Sequence, residues 1–324
     1  MSTGSIHSGE ILFVKCVKDG IPNRDPLRDS DARRIFGEED GRISLSDVSI
    51  KRDVRDYVLA RYPEGGEGRS MFVFCREERT GENTLLGRDR LASTILQRAG
   101  RNEEEDMQGA LLSSAFDMRV FGAVFSVKGK SFHKVGPVQF GWAHSLHPAE
   151  TKYVQGTVVM PSKDTPITEA GDDEKSGKTQ GTIWTSYILP FAVFAMPGVI
   201  NSHIAADTGM TQTDVDVLLE GLWKGTINRQ ARGRGIQQPL LLLHVEYKNP
   251  FDRIGFLEEG IRIEPDRDSW TGGKPPTSLE EIKVNVEKLS QTLTENRDKI
   301  ERIRLWRHSG LQVAGEISAQ SMPL

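Results

Sequence analysis

Hydrophobic and polar residues follow one another in patterns that predict both strands and helices. The apolar runs at 10–17 and 240–247 are typical of strands in the centre of a sheet. Behind Ser46 and behind Thr211, which can cap a helix, apolar residues recur every three or four positions and predict two amphipathic helices. Further strands are predicted at 71–75, 118–127 and 135–142.

Two β-rich runs, 154–160 and 182–188, enclose a long polar segment and predict an extended β-hairpin. A Pro- and Gly-rich linker is predicted at 264–277. Apolar residues then recur at alternating spacings of four and three, which predicts one helix over 278–308 before a tail at 309–324. This helix could pack on its own domain or contact another subunit.

The order of these elements favours the α+β class. A ferredoxin-like or RNA-recognition-like βαββαβ core with large insertions fits that order best. We expect a flexible N-terminus at 1–9, this core over 10–263, and a helical and loop insertion at 60–110.

Charge narrows the function classes without deciding between them. The 324 residues include 42 Lys or Arg and 46 Asp or Glu, for a net charge of −4. Most nucleic-acid-binding domains are basic overall, so a polyanion site here must be a local basic face. No apolar run reaches the roughly 18 residues of a membrane-spanning helix, and the first ten residues lack the pattern of a signal peptide. We therefore expect a cytoplasmic protein with no membrane partner.

Candidates for metal and thiol chemistry are sparse. Cys16 and Cys75 form no CxxC pair, and we expect both to be buried, reduced thiols. His144 and His147 are three residues apart but end a predicted strand, so we predict no metal site there. No motif of a zinc metalloprotease, a serine hydrolase or a P-loop nucleotide site occurs, and we predict no cofactor.

One carboxylate, Asp25, lies in the loop after the first predicted strand. It could hold a metal for RNA cleavage, or it could cap its own loop. A single carboxylate without a second one nearby is weak support for metal-dependent phosphodiester chemistry.

The first predicted helix carries a candidate phosphate site. Lys51 and Arg55 are one turn apart, Arg52 flanks them, and all three lie off the apolar face. Unpaired N–H groups at the start of the helix would add to such a site. The same pattern is equally consistent with a solvated helix face whose salt partners are Asp53 and Asp56.

Two further segments are rich in basic residues. One is a late glycine-containing loop, in which backbone amides and guanidinium groups can approach phosphates together, although an exposed turn has the same pattern. The other lies near a predicted strand end. The members are Arg229, Arg232 and Arg234 in the loop, and Lys128, Lys130 and Lys134 near the strand end.

Ordered motifs along the chain resemble those of the CRISPR-associated Cas-seven family, and the subtype they are most similar to is the I-B branch. The segments 19–26 (DGIPNRDP) and 47–57 (DVSIKRDVRDY) resemble its N-terminal signature. The resemblance covers about residues 10–263. The later matching segments are 117–123, 136–140, 187–190, 222–226 and 241–247.

The resemblance implies both a fold and a role. The fold would be an RNA-recognition-like palm with helical insertions and a long β-hairpin thumb over 154–188. The role would be that of a multi-copy backbone subunit of a type I CRISPR Cascade complex, which acts in antiviral defence and has no catalytic activity. Its partners would be the CRISPR RNA, the target DNA strand paired to it, further copies of itself head to tail, and other Cascade subunits. Those subunits are a Cas-five-type cap, a large subunit and a small subunit.

The RNA-binding face of the family implies where guide contacts lie. It comprises the loop after the first strand, the end of the first helix and the late glycine-rich loop. Asp19 stands where relatives often have Asn, and Arg24 stands where close relatives often have Gly. From the resemblance and the basic groups together, we expect RNA contacts from Arg24, Ser46, Ser49, Lys51, Arg52, Arg55, Arg119, Lys134, Gln139, Arg229, Arg232 and Arg234.

Two other functions stay open on the sequence. One is a metal-dependent RNA endonuclease of the same superfamily that uses Asp25. The other is an unrelated interaction protein, which would purify free of nucleic acid even beside a CRISPR array.

Overall fold

The structure, a computed structural model, describes residues 6–28, 30–81, 83–101, 106–127, 131–158, 183–270 and 273–323. The elements of the first half are β1 (Gly9–Lys18), β2 (Ser44–Leu45), α1 (Asp47–Arg61), α2 (Arg88–Ala99), α3 (Met107–Ser114), α4 (Phe116–Phe121), β3 (Gly122–Phe125), β4 (Phe132–Val135), β5 (Val138–Phe140), β6 (Ala143–Ser145) and β7 (Lys152–Thr157). Those of the second half are β8 (Ile183–Ile188), β9 (Phe191–Ile200), α5 (Ser202–Thr208), α6 (Gln212–Asn228), β10 (Ile236–Tyr247), β11 (Arg262–Glu264), β12 (Lys283–Asn285), α7 (Glu287–Glu295), β13 (Ile300–Arg307), β14 (Val313–Ala314) and β15 (Gln320–Ser321).

The main sheet is built around the apolar strand β1. Its strand order is β15-β13-β10-β1-β9-β6-β2, and β5 also pairs with β9. β1 is antiparallel to both β10 and β9, so its backbone groups are paired on both edges. Neighbouring residues of β1 point to opposite faces: Phe13 lies in one hydrophobic cluster and Leu12 in another. Both faces of the sheet are therefore covered.

The two predicted amphipathic helices are confirmed, and they cover one face. α1 and α6 pack against each other and the sheet through buried residues such as Val54 and Leu222. Thr211 and Asp214 form a capping box at the start of α6. The helices approach closely at Gly225, where an added Cβ would lie 2.2 Å from the Asp53 backbone oxygen. Glycine is thus required there to bring the end of α6 onto α1.

The opposite face is covered by chain that was predicted to be one helix over 278–308, and that prediction is wrong. The segment forms β12, α7 and β13. The 4-3 spacing arises because elements of different period follow one another: Val284 is buried in a strand, whereas Leu289 and Leu293 lie one helical turn apart. β13 pairs with β10, so β13 and β15 extend the main sheet beyond the predicted core of 10–263.

Of two further predicted strands, the one at 118–127 is confirmed only in its second half and the one at 71–75 is wrong. The segment 118–127 begins in α4, and Gly122, with φ of +77°, ends that helix before β3. The segment 71–75 forms only an isolated bridge at Phe72, because the amides that follow donate to a carboxylate, Asp117. Cys16 is buried as predicted, but Cys75 is exposed.

The remaining predictions about domain organisation fall partly on undescribed chain. α2 and the first half of α3 lie in the predicted insertion at 60–110 and pack around their own hydrophobic cluster. β7 and β8 pair as an antiparallel ladder, while 159–182 lies outside the described residues. Residues 1–5 lie outside it as well, but Ser8 is buried and bonded to Ser202, which contradicts a flexible segment up to residue 9. Across the described ranges, every helix is too short or too polar to cross a membrane.

Candidate nucleic-acid interface

An arginine-lined cleft of about 770 Å³ lies where three parts of the chain meet: the loop after β1, the start of α1 and the loop after α6. We call it the arginine cleft. One carboxylate, Asp47, is among its lining residues. The arginines that line it are Arg24, Arg33, Arg52, Arg55, Arg229, Arg232 and Arg234.

The floor of the cleft is organised by a fully buried carboxylate, Asp53 of α1. Its Oδ1 accepts hydrogen bonds from Arg229 Nη1 at 2.8 Å and from Arg234 Nη2 at 3.1 Å. Its Oδ2 accepts from Lys15 Nζ of β1 at 3.2 Å. Burial lowers the pKa of the Lys15 ammonium below its ordinary value, and the Asp53 carboxylate opposes that shift. One carboxylate thus forms ion pairs with three cationic side chains.

Arg234 also fixes the loop after β1. Its Nη1 donates to the carbonyl oxygen of Pro22 at 2.8 Å, and Ile21 N donates to the carbonyl oxygen of Gly233 at 2.9 Å. Burial lowers the pKa of the Arg234 guanidinium, although an arginine stays charged at neutral pH. These contacts hold the two loops of the cleft in one arrangement.

Three arginines of the cleft have no carboxylate partner among the described residues. Arg24 donates from Nη2 to Ser186 Oγ at 2.9 Å and to the carbonyl oxygen of Gly233 at 3.3 Å. The guanidinium of Arg33 lies 5.9 Å from the ring centroid of Trp142, and that of Arg232 lies 5.0 Å from the ring centroid of Trp184. No carboxylate within the described ranges therefore neutralises their positive charge. We call Arg24, Arg33 and Arg232 the unpaired arginines.

The start of α1 opens onto the cleft without a side-chain cap. Ser46 occupies the N-cap position, but its Oγ donates to Asn23 Oδ1 at 2.9 Å and makes no cap hydrogen bond. Ser49 also lines the cleft. The positive end of the helix dipole thus adds to the charge of the arginines.

The basic residues of α1 are paired within the protein, so Lys51 and Arg55 are less available to a polyanion than the helix pattern alone suggested. Arg55 Nε lies 2.8 Å from Asp117 Oδ2, and the Arg55 side chain is only 12% exposed. Lys51 pairs with Asp47 and does not line the cleft. Arg52 lines the cleft and is the most exposed of the three, although it also has an aspartate partner.

Arg119 is a structural residue, which corrects its prediction as an RNA contact. Its Nε and Nη2 donate to both carboxylate oxygens of Asp214, at 3.2 and 2.7 Å, and its Nη1 donates to a backbone carbonyl. The side chain is only 6% exposed and is held by these bonds, so little of it is available to a phosphate.

Other predicted residues lie outside the cleft. Lys134 of β4 and Gln139 of β5 are not part of its lining. Lys128 and Lys130 are outside the described residues. Asp25 Oδ1 accepts a hydrogen bond from the backbone amide of Leu27 at 3.0 Å. Asp25 therefore caps its own loop, the second of the two roles considered for it. Within the described ranges, no group of three or more His, Cys, Asp or Glu side chains is placed to hold a metal ion.

Comparison with known proteins places the chain in a family. The model of the family described as CRISPR-associated protein Cas7 matches residues 7–287. The chain belongs to the Cas7 family. It is 24% identical to the CRISPR-associated protein Cas7 of Haloferax volcanii over 318 residues, which cover 93% of this chain and 87% of that protein.

The fold agrees with this membership. A chain in a solved CRISPR RNA-guided surveillance complex, pre-nicking, matches with a TM-score of 0.56 and 14% identity, over 95% of this chain and 96% of that chain. The family resemblance found in the sequence and the α+β class are therefore confirmed. The RNA-recognition-like palm and the thumb remain predictions.

Sequence reasoning missed several residues that build the cleft of this Cas7-family chain. Asp53 falls on the apolar face of α1 with Ile50 and Tyr57, and a carboxylate on such a face is a signal of a buried ion pair. Lys15 gives the same signal, as a lysine inside an apolar strand. Arg33 follows no motif, and only the fold brings it to the cleft.

Proposed function

We propose that this chain is a multi-copy backbone subunit of a type I CRISPR Cascade complex. It binds the CRISPR RNA through its phosphates and presents the bases for pairing with target DNA, as a scaffold without catalytic activity. The observation that carries the proposal is the arginine cleft, which gathers seven arginines in a chain whose net charge is −4. An acidic exterior with a basic groove suits a protein that must hold one polyanion without binding others at random.

The chemistry of the cleft favours phosphates over base edges. Guanidinium groups form paired hydrogen bonds with phosphate oxygens, and the unpaired arginines offer this charge without first leaving a carboxylate. Contacts to the phosphate backbone carry no base information. We therefore propose binding that is independent of guide sequence and sensitive to salt.

The β7–β8 hairpin lies beside the cleft and supports its assignment as the base of a thumb. Arg24 of the loop after β1 is bonded to Ser186 of β8, and Arg232 lies over Trp184 of the same strand. A hairpin attached to phosphate-binding residues is well placed to interrupt the path of an RNA strand.

The proposed partners are the CRISPR RNA, the paired target DNA strand, further copies head to tail, and the other Cascade subunits: a Cas-five-type cap, a large subunit and a small subunit. Family membership and the fold match to a chain of a surveillance complex support assembly into such a particle.

The test is co-expression of the chain with a CRISPR array and its neighbouring Cascade subunits, followed by size exclusion. Wild-type chain should yield a large particle that contains one discrete guide-length RNA on a denaturing gel. A triple variant, Arg24→Ala, Arg33→Ala and Arg232→Ala, should lose RNA for every spacer. Wild-type chain that stays monomeric and free of RNA beside its partners would overturn the proposal.

A matched control removes the same charge elsewhere. Arg88, Arg90 and Arg307 are exposed, do not line the cleft and have no ion pair with a described residue. Their triple alanine variant should assemble with RNA like the wild type. Equal reduction of RNA in the two triple variants would mean that total charge rather than the cleft holds the RNA.

A further inference from the structure

The floor of the arginine cleft holds two buried cations, Lys15 and Arg234, and one buried carboxylate, Asp53, among the described residues. Asp53 is fully buried and is shared by Lys15, Arg229 and Arg234. Among the described residues, Arg229 is the one of the three that reaches a second carboxylate, Asp56, at 3.4 Å. An excess of buried cations is costly because each one loses its hydration.

The floor also has one donor without a partner among the described residues. Arg234 is 8% exposed and lines the cleft, yet its Nε has no hydrogen-bond acceptor among the described residues. A buried donor without an acceptor is rare in a folded protein, and a bound ligand or an ordered water can satisfy it.

The backbone around the floor fixes these side chains in place. The absence of a side chain at Gly225 lets the end of α6 reach Asp53, and Arg229 follows directly as the C-cap residue. Arg229 Nη1 also donates to the carbonyl oxygen of Ser49 at 3.0 Å. The two guanidinium groups are therefore oriented before any ligand arrives, which reduces the side-chain entropy cost of binding.

We propose that Asp53 is the positioning residue of the phosphate subsite formed by Arg229 and Arg234, which it preorganises for a phosphodiester group of single-stranded RNA. This inference rests on the proposed function. Asp53 does not bind the phosphate, which it repels. It holds Arg229 and Arg234 in the geometry that binds the phosphate, and the bound anion supplies the missing negative charge.

The proposal predicts an effect of opposite sign to simple electrostatics. Asp53→Asn removes a negative charge near a polyanion site, and screened Coulomb attraction alone would tighten RNA binding by about twofold at roughly 8 Å. If Asp53 positions the arginines, the same change weakens binding by about tenfold, the reduction expected when one charge-assisted hydrogen bond is removed. The direction of the change therefore decides between the two.

The assay is fluorescence anisotropy of a labelled single-stranded RNA with the full-length chain over a range of KCl concentrations. Asp53→Asn should bind about tenfold more weakly, and its log–log salt dependence should be flatter by about 0.7 for each phosphate that the variant no longer neutralises. The matched control is Asp216→Asn. Asp216 of α6 also forms an ion pair with an arginine, Arg304 of β13, but it lies outside the cleft. It should bind like the wild type.

A second variant protects the test against misfolding. Lys15→Met with Asp53→Asn removes the buried pair together, keeps the net charge of the chain and replaces lysine by a side chain of similar volume. Simple electrostatics predicts unchanged binding for this pair, whereas positioning predicts about tenfold weaker binding.

The outcomes separate the inference from the proposed function. Folded Asp53 variants that bind RNA as tightly as Asp216→Asn would overturn the phosphate subsite and leave the RNA-binding proposal intact. Wild-type chain that binds no RNA in this assay or in the assembled complex would overturn both.

Discussion

Arg232 offers the most direct test of the charge in the cleft. Its side chain is exposed, and its guanidinium lies over the ring of Trp184, 5.0 Å from the ring centroid. Since no carboxylate pairs with it among the described residues, Arg232→Ala removes a charge without stranding a partner. The free energy of unfolding should therefore change by no more than about 0.5 kcal/mol.

The expected reduction of RNA affinity follows from the exposure of this side chain. A guanidinium and a phosphate 4 Å apart attract by roughly 4 kcal/mol at an effective dielectric of about 20. Desolvation reduces the net value of a charged hydrogen bond to about 1.5–3 kcal/mol, and an exposed residue belongs at the lower end. Arg232→Ala should thus weaken binding about tenfold at low salt. Because one neutralised phosphate contributes a slope of about 0.7, the deficit should shrink to about twofold when salt rises tenfold.

The assay compares two single-stranded RNAs of equal length and unrelated sequence, by fluorescence anisotropy at low, intermediate and high KCl. Arg307→Ala is the matched control, because Arg307 is exposed on β13, lies outside the cleft and has no ion pair with a described residue. Weaker binding of only one RNA would refute sequence-independent phosphate binding. A deficit that does not change with salt, or one that equals the control, would refute the role of Arg232 in the cleft.

Three further predictions concern the fold around the cleft. Arg55→Ala should lower the free energy of unfolding by about 3 kcal/mol because it strands a buried carboxylate, whereas Lys51→Ala, whose partner is half-buried, should cost less than about 1 kcal/mol. Urea denaturation measures both, and equal effects would contradict the difference in burial. Exposed Cys75 should react with a thiol reagent at pH 8 in the folded protein, whereas Cys16, whose pKa burial raises to about 11, should react only on unfolding. Reaction of both Cys75 and Cys16 in the folded protein would contradict this prediction. Burial and nearby arginines hold the pKa of His244 well below its ordinary value, so the unfolded chain binds a proton that the folded chain does not. Stability should fall as the pH drops below about 6.5, and His244→Gln should flatten that dependence in urea denaturation at pH 7.5 and 5.5.

Elements whose pattern and partners are local were predictable. α6 could be located because its apolar spacing and its capping residues, Thr211 and Asp214, lie within one turn of each other. β1 and β10 could be located because buried central strands are continuous apolar runs. The segment after 277 was predicted wrongly, since spacings of three and four also result when a strand, a helix and another strand follow in series.

The sequence by itself determined the family, the central strands and the two helices beside the cleft. Motif order, periodicity and capping depend only on residues that are close together in the chain. Only the tertiary structure decided which basic residues are available to a ligand. Asp53 meets Arg229 and Arg234 across 176 and 181 residues, and Arg119 meets Asp214 across 95. An arginine with a distant carboxylate partner and one without look alike in a sequence. Their difference arises from burial and pairing, which depend on contacts between elements far apart in the chain.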